Sequence, residues 1–267
     1  MKLKSFEEVE SAYAISSIPS DQARMIEGGL AEKGVHVISN TSVYRMDKSV
    51  PLVVPEINED HFSMISGQKT KGKIITNPNC STVFLALGLA PIYRRLKIKN
   101  ISVFTLQAIS GAGYPGVASS DILGNIIPNI GGEEEKIESE VQKILGEIDK
   151  PADFEVFASV NRVPVDHGHT ITMHISLDKP TSKSELQDIF EVAKAEFPEA
   201  YELYSNDFHP QPKFHLSSSD NKAHIGRIRV NQDGSRISVN SLGHNLVRGA
   251  AGAAILNLEK FHNFLSH

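Results

Sequence analysis

Residues 81–96 (STVFLALGLAPIYRRL) constrain the fold more than any other segment, because they are apolar on nearly every side of a helix. A helix without a polar face belongs in a protein interior, so we predict a buried helix here, with a kink or break at Pro91. Another helix is predicted from about Ser20, a good N-cap, to Lys33. Strand-like runs lie at residues 12–17, 35–39 and 73–76. This alternation of strands and helices predicts parallel α/β units.

The second half of the chain has a different pattern. Predicted strands lie at residues 101–110, 154–163 and 170–177, and predicted amphipathic helices at 133–147 and 184–196. Residues 225–230 and 237–241 form a predicted hairpin around Asp233-Gly234, a strong turn signal. The small-residue segment 244–261 predicts a closing helix. We therefore expect an α/β part and then an α+β part with a largely antiparallel sheet, with the last helix returning to the first part.

The composition is that of an ordinary globular protein: of 267 residues, 40% are hydrophobic and 22% are charged. The net charge of −5 comes without a long basic run, so neither a nucleic-acid nor an anionic-membrane partner is expected. No stretch approaches the ~20 apolar residues of a transmembrane helix, and the N-terminus lacks the apolar core of a signal peptide. The single cysteine, Cys80, cannot form a disulfide within the chain, so a reduced cytoplasmic protein is expected.

Cys80 stands between a predicted strand and the buried helix, in the segment ITNPNCSTVF. A thiol at a helix N-terminus is close to unpaired N–H groups and to the positive end of the helix dipole, which favour the thiolate. The same N–H groups can hold an oxyanion next to the sulfur, and the amide of Asn79 can assist them. Cys80 is therefore a candidate nucleophile. The alternative is that a lone cysteine is a small core hydrophobe.

Residues 161–170 (NRVPVDHGHT) combine an arginine with two histidines. A histidine near a thiolate can act as general acid and base. His167 and His169 fall on the same side of an extended strand, so a metal pair is an alternative, although no other ligand spacing supports it. Either histidine can also have a purely structural role.

Residues 111–116 (GAGYPG) match G-x-G-x-x-G in letters but not in context. A dinucleotide fingerprint requires a helix that begins at the glycine loop, and glycine and proline interrupt the residues that follow here. We interpret the segment as a tight loop beside a strand end, where a ligand can approach the backbone. The acidic residues after Gly131-Gly132 are, by composition, typical of a solvated helix start.

Taken in order, seven segments resemble aspartate-β-semialdehyde dehydrogenases, in particular the archaeal and fungal-type branch. They are RMDKSVPLVVPEIN, NPNCST, LQAISGAGYPG, IPNIGGEEEKI, NRVPVDHGHT, GRIRV and HNLVRGAAGAAILN. NPNCST followed by SGAGYPG and by the GHT histidine is a specific combination, whereas each motif alone is weak. The resemblance extends from about Ser16 to the C-terminus.

The resemblance implies three groups of site residues. Those that act in catalysis are Cys80 as the nucleophile, His169 as the acid/base, Gln107, which orients the acyl substrate, and Asn79. Those that bind the substrate are Arg162 at the α-carboxylate, Glu133 at the amino group, and the phosphate-binding cations Lys136 and Arg45. Those that contact NADP are Ser17, Ser110, Gly111 and Asn245. No metal is implied.

The resemblance also implies an architecture. A Rossmann-like NADP-binding domain would comprise residues 1–79 together with the C-terminal helix 245–267, and a catalytic and dimerisation domain would comprise residues 80–244. The family's G-x-x-G-x-x-G turn, which holds the cofactor phosphates, does not occur in this sequence. We therefore expect the nucleotide-binding domain to lack its opening units, as a fragment, a mis-started reading frame or a shortened protein. The remaining sheet would then have an unpaired edge.

The implied activity is the NADP-dependent conversion of L-aspartyl-4-phosphate into L-aspartate 4-semialdehyde, through a cysteine thioacyl intermediate, by a homodimer or homotetramer. This reaction belongs to lysine, threonine and methionine biosynthesis. Three other interpretations remain open. A malonyl-CoA reductase would share the cysteine chemistry, although Glu133 favours an amino-acid substrate. The others are a non-catalytic subunit that keeps the dimerisation domain, and a metal-dependent hydrolase that uses His167 and His169.

Overall fold

The first half of the chain forms a small parallel sheet. The computed structural model describes residues 5–266, apart from the side chain of Glu7; the ends of the predicted nucleotide-binding domain, residues 1–4 and 267, lie outside the described residues. The sheet has the order β1-β2-β3, with all pairs parallel. Its strands are β1 (Tyr13–Ser16), β2 (His36–Ser39) and β3 (Ile74–Thr76). No other strand of the described residues pairs with the outer edge of β1, so the expected unpaired edge is present.

Helix α1 (Ser20–Lys33) connects β1 to β2. Ser20 is its first helical residue and Pro19 occupies the N-cap position, so the predicted capping role of Ser20 is wrong. Proline is compatible with this position because the first N–H groups of a helix have no intrahelical acceptor. The helix ends at Gly34, which has a φ of 102° and donates its N–H to the carbonyl of Ala31. Only glycine adopts this left-handed conformation without strain, so Gly34 fixes the turn into β2.

Helix α3 (Cys80–Tyr93) is the predicted buried helix, and its residues from Ser81 to Ile92 are all buried. The helix is not broken at Pro91, as was predicted, but continues to Tyr93. Proline has no N–H to donate to the carbonyl of Leu87, four residues earlier. The hydroxyl of Tyr201 donates to that carbonyl instead, at 3.0 Å. A distant side chain thus replaces the missing helical hydrogen bond.

A six-stranded mixed sheet forms the second part, in the order β5-β4-β6-β9-β8-β7. The β4–β5 and β7–β8 pairs are parallel, and the three pairs between them are antiparallel. The strands are β4 (Ile98–Gln107), β5 (Glu155–Arg162), β6 (His169–Leu177), β7 (Tyr201–Leu203), β8 (Ala223–Val230) and β9 (Arg236–Gly243). The sequence did not predict β7, because three residues carry no usable periodicity. The predicted fold class, α/β plus α+β with a largely antiparallel second sheet, is confirmed.

Helix α3 packs on one face of the six-stranded sheet, with the amphipathic helices α5 (Glu133–Leu145) and α6 (Lys183–Glu196) beside it. A Cβ at Gly243 would lie 1.8 Å from the ring of Phe84, so glycine is what allows α3 to approach β9 this closely. The short elements are the 3₁₀ turns Phe6–Glu8, Glu59–Gly67 and Ile109–Ala112, and the helices α2 (Pro55–Asn58), α4 (Ser119–Ile122) and α7 (Pro212–His215).

The chain ends by returning to the first sheet. After a π-helical turn at Val247–Ala251, helix α8 (Gly252–Ser266) places Phe261 in one apolar cluster with Ile38 and Phe62. Asn257 of α8 donates to the carbonyl of Val53, beside β3. The predicted return of the last helix is therefore confirmed. None of the helices within residues 5–266 is long and apolar enough to cross a membrane.

Candidate active site

Cys80 is the first residue of α3, at the point where the chain leaves the carboxyl end of β3. Asn79 is the N-cap, and its side-chain oxygen accepts a hydrogen bond from the N–H of Ser81 at 2.9 Å. Such a cap stabilises a helix by about 1 kcal/mol and also fixes the direction of the turn before it. The Cys80 side chain is half-buried, and a Cβ at Gly249 would lie 3.0 Å from its Cβ. Glycine at position 249 therefore leaves room beside the thiol.

His169 and Arg162 meet over the backbone of Gly111. A Cβ at Gly111 would lie 3.0 Å from Nη1 of Arg162 and 3.0 Å from Nε2 of His169. Nδ1 of His169 accepts a hydrogen bond from the backbone N–H of Ala108 at 3.1 Å, and Nη1 of Arg162 donates to the carbonyl of Ala108 at 2.8 Å. Neutral His169 therefore carries its proton on Nε2. That buried Nε2 has no hydrogen-bond partner among the described residues.

The expectation that the Cys80 thiolate is favoured in the free site is wrong. Burial raises the pKa of Cys80 to about 12, the nearby Glu133 carboxylate raises it further, and Arg45, Arg162 and the backbone at the start of the helix only partly offset both effects. Burial, together with the positive charge of Arg162, lowers the pKa of His169 to about 3. Thiol and imidazole are thus both neutral at pH 7.

Glu133, the first residue of α5, occupies the same region. Its Oε2 accepts from the side-chain amide of Asn79 at 2.6 Å, and its Oε1 pairs with Lys136 at 3.0 Å. The Asn79 amide that was expected to help hold an oxyanion is therefore engaged with Glu133. The structure brings the predicted substrate-binding carboxylate within one residue of the nucleophile.

Arg45, predicted to bind phosphate, is buried and already has two partners. Its Nη1 pairs with Glu140 at 3.0 Å and its Nη2 donates to the carbonyl of Asn40 at 2.6 Å. Nε of Arg45 has no hydrogen-bond partner within the described residues. Gln107, at the end of β4, is buried beside Arg162 in the sheet register, and its amide donates to Thr105 Oγ1 at 3.3 Å.

The predicted cofactor contacts fall at two places. Asn245 accepts from the N–H of Gly168 at 2.9 Å and donates to Ser110 Oγ at 3.0 Å, next to His169. Ser17 follows β1 and accepts from Asn40, which follows β2 and in turn accepts from Asn77, which follows β3. These side chains join the carboxyl ends of the three parallel strands, the edge at which open α/β sheets bind ligands.

A nicotinamide group fits the residues at the first of these places. Gly111 has no side chain to fill the space in front of His169 and Arg162, and the unpartnered Nε2 of His169 lies at the edge of that space. Ser110 and Asn245 are hydrogen-bonded to each other beside it, and Gly249 leaves the adjacent face of Cys80 open. A flat ring placed there would lie against the nucleophile.

The two histidines of the predicted metal pair have different environments. His169 is buried at the catalytic centre, whereas His167 is exposed and stacks on His244 with ring centroids 5.2 Å apart. Among residues 5–266, no group of three or more His, Cys, Asp or Glu side chains is placed to hold a metal ion.

Comparison with known proteins identifies the family. A sequence model of the semialdehyde dehydrogenase dimerisation domain matches residues 89–248, and one of the semialdehyde dehydrogenase NAD binding domain matches residues 1–65. An aspartate-semialdehyde dehydrogenase of Archaeoglobus fulgidus is 42% identical over 266 residues, which cover 94% of this chain and 77% of that protein. The chain belongs to the aspartate-semialdehyde dehydrogenase family.

Solved structures of aspartate-semialdehyde dehydrogenases have the same fold. Enzyme II of Vibrio cholerae, in complex with ASA, superposes with a TM-score of 0.84 at 28% identity, covering 96% of this chain and 82% of that one. The Candida albicans enzyme with NADP superposes with a TM-score of 0.81 at 32% identity, covering 95% and 78%. The predicted alternative has a relative too: a malonyl CoA reductase (NADP) of Metallosphaera sedula is 32% identical over 91% of this chain and 74% of that protein.

Sequence reasoning did not single out Glu140. This buried carboxylate pairs with Arg45 and also accepts from the backbone N–H of Asn79 at 2.7 Å. A signal for it was present, since Glu140 is seven residues after Glu133 on α5 and so falls on the same face of the helix. An acidic residue in an acidic amphipathic helix is indistinguishable by composition from a solvated one.

Proposed function

We propose that the protein catalyses the NADP-dependent reductive dephosphorylation of L-aspartyl-4-phosphate to L-aspartate 4-semialdehyde. The convergence of Cys80, His169 and Arg162 on the space in front of Gly111, in a chain of the aspartate-semialdehyde dehydrogenase family, supports this function most directly. A thiol, an imidazole and a guanidinium in one partly enclosed space suit acyl transfer to sulfur with an anionic substrate.

In this proposal, the substrate is held by its two charged ends. The planar guanidinium of Arg162 binds the α-carboxylate, and Glu133 binds the ammonium group, which places the acyl carbon over Cys80. Lys136 and Arg45 stabilise the phosphate group. Gln107 orients the acyl group from the end of β4. The substrate charges also offset the neighbours of the thiol, because an ammonium at Glu133 cancels the negative charge that raises the pKa of Cys80.

The covalent steps balance without a second co-reactant. Sγ of Cys80 forms a bond to the acyl carbon, the C–O bond to phosphate breaks, and the thiol proton leaves with the phosphate as hydrogen phosphate. NADPH, held by Ser17, Ser110, Gly111 and Asn245, supplies the hydride that reduces the resulting thioester. The thiohemiacetal then releases the semialdehyde by breaking the C–S bond, and the sulfur takes up one proton. His169 steadies the acyl oxygen through its Nε2–H in each step, and is the group that returns the proton to the sulfur.

We also propose the domain division and assembly that accompany this function. Residues 1–79 and 245–267 would form the nucleotide-binding domain and residues 80–244 the catalytic and dimerisation domain. The chain would work as a homodimer or homotetramer. A single thiol in the active site fits a reducing compartment such as the cytoplasm.

Cys80→Ala tests the central assignment. Purified protein would be given aspartate semialdehyde, phosphate and NADP, and NADPH formation followed by absorbance. The variant should lose all detectable activity, because no other cysteine is available. A variant that keeps a tenth of the wild-type rate would refute the nucleophile.

A second candidate, malonyl-CoA reduction, has support from the relative of that name. Glu133 argues against it, since a malonyl group has no ammonium to pair with this buried carboxylate. Comparing kcat/KM for aspartyl phosphate and malonyl-CoA decides between the two. Tight NADPH binding by the 267-residue chain, measured by fluorescence, would exclude the non-catalytic subunit.

A further inference from the structure

One face of α5 carries a row of charged residues directed at the site and at the loop after β2. Glu133, Lys136, Glu140 and Lys143 are spaced at i, i+3, i+7 and i+10, which places them along a single face of the helix. The first two are the proposed ligands of the substrate amino group and phosphate. The other two face the segment 45–50, which contains Arg45.

Glu140 connects two parts of the site that are distant in sequence. One carboxylate oxygen pairs with Nη1 of Arg45 at 3.0 Å, and the other accepts from the backbone N–H of Asn79 at 2.7 Å. Glu140 is 2% exposed, so neither bond competes with water. Both bonds are charge-assisted, and short bonds of this kind are the stronger class in proteins. The residue before the nucleophile and the phosphate-binding arginine are therefore fixed to one carboxylate.

The bonds to Glu140 also determine which atom of Arg45 is free. Nη1 is taken by Glu140 and Nη2 by the carbonyl of Asn40, while the buried Nε has no partner among the described residues. A guanidinium with a single free N–H can bind an anion in only one direction. Glu140 thus sets the orientation of Arg45 as well as its position.

Lys143 fixes the backbone around Arg45 from the same helix. Its Nζ donates to the carbonyls of Arg45, Asp47 and Val50 at 2.7, 2.9 and 2.8 Å. The loop therefore cannot move relative to α5 without breaking these bonds. Side chain and backbone of Arg45 are both held by the helix that begins at Glu133.

We propose that Glu140 is a positioning residue for the reaction: it aligns the Asn79–Cys80 turn with Arg45, so that nucleophile and leaving phosphate meet in one register. The inference rests on the proposed function, because it takes Arg45 as a ligand of the phosphate group. Glu140 itself touches neither substrate nor the reacting sulfur.

Glu140→Gln tests this through inorganic phosphate. The amide keeps the size of the side chain but turns an N–H toward one of its two partners, so Arg45 or Asn79 loses its acceptor. Cys80 would be alkylated with iodoacetamide at increasing phosphate concentration, without NADP or substrate. Phosphate should protect the wild-type thiol, and the variant should need about tenfold more phosphate for equal protection. In turnover assays the KM for phosphate should rise and kcat should fall.

Two further variants make the result decisive. Glu135→Gln changes an exposed carboxylate on the same helix and should match the wild type. Glu140→Asp keeps the charge but is too short to reach both partners; it should lose protection as well, and it serves if Glu140→Gln does not fold. Equal protection in the wild type and in a folded Glu140 variant overturns the positioning role. If phosphate fails to protect even the wild type, the proposed acyl-phosphate function fails instead.

Discussion

Cys80 is exposed to two opposing influences, and their balance could not be derived from sequence. The backbone at the start of α3 favours the thiolate, as its position before a buried helix predicts. Burial and the Glu133 carboxylate oppose this more strongly, so the pKa of Cys80 is raised to about 12. Glu133 is 53 positions away in the chain, and only the fold brings it to Asn79. The residue types of the site were readable as motifs, whereas their protonation depends on contacts that no local pattern encodes.

Glu133→Gln should make Cys80 more reactive in the free protein while it weakens substrate binding. The amide oxygen can still accept from Asn79, but the negative charge that raises the pKa of Cys80 is gone. Iodoacetamide should alkylate the variant at least about threefold faster than wild type at pH 8, because the thiolate fraction increases as the pKa falls. The wild-type rate should keep rising through alkaline pH without a plateau, the sign expected for a raised thiol pKa.

Glu135→Gln, on the exposed side of the same helix, is the matched control for this experiment. Its alkylation rate should equal that of the wild type. A Glu133→Gln rate equal to or below wild type would show that the carboxylate does not hold the thiol protonated.

At the scale of elements, α3 shows where local prediction stops. Its burial follows from an apolar surface on all sides, and its start at Cys80 follows from the Asn79 cap. Its continuation past Pro91 does not follow from the sequence around it, because the compensating donor is Tyr201, in a strand too short to predict. Whether a proline breaks a helix depends here on a hydroxyl 110 positions further along the chain.

Tyr201→Phe should lower the free energy of unfolding by about 1–3 kcal/mol, because the buried carbonyl of Leu87 is left without a donor. Pro91→Ala restores a backbone N–H at the helical position for that carbonyl. In the Pro91→Ala background, Tyr201→Phe should therefore cost less, by about 1 kcal/mol. Urea unfolding followed by circular dichroism measures all four proteins. Tyr114→Phe, on a fully exposed ring, controls for loss of a hydroxyl; additive costs would rule out the replacement bond.

At the scale of the whole molecule, the six-stranded sheet leaves one face open. Phe104 and Leu106 of β4 and Phe157 of β5 project from it, with 44%, 44% and 71% of their surface exposed. Side chains that alternate along a strand point to opposite faces, so these three share a face that α3 does not cover. An apolar patch on a sheet in a dimerisation domain is suited to a second copy of the chain.

Phe157→Asp should shift the protein from dimer toward monomer at micromolar concentration, since an unpaired charge in an apolar interface weakens association by several kcal/mol. Analytical ultracentrifugation measures the change. Met25→Asp, an equally exposed apolar position on α1, should leave the sedimentation coefficient unchanged. A Phe157→Asp protein that sediments like wild type would place the interface elsewhere.

The return of α8 has a consequence for how the molecule forms during synthesis. Strands β1 to β3 are the earliest to leave the ribosome, yet Phe261 and Asn257, which complete the packing around them, are among the last residues made. The opening sheet must therefore wait, with Ile38 and Phe62 uncovered, while the entire six-stranded half is translated and folds in between. Nascent chains halted just before α8 should be the most vulnerable to protease and the most dependent on chaperones.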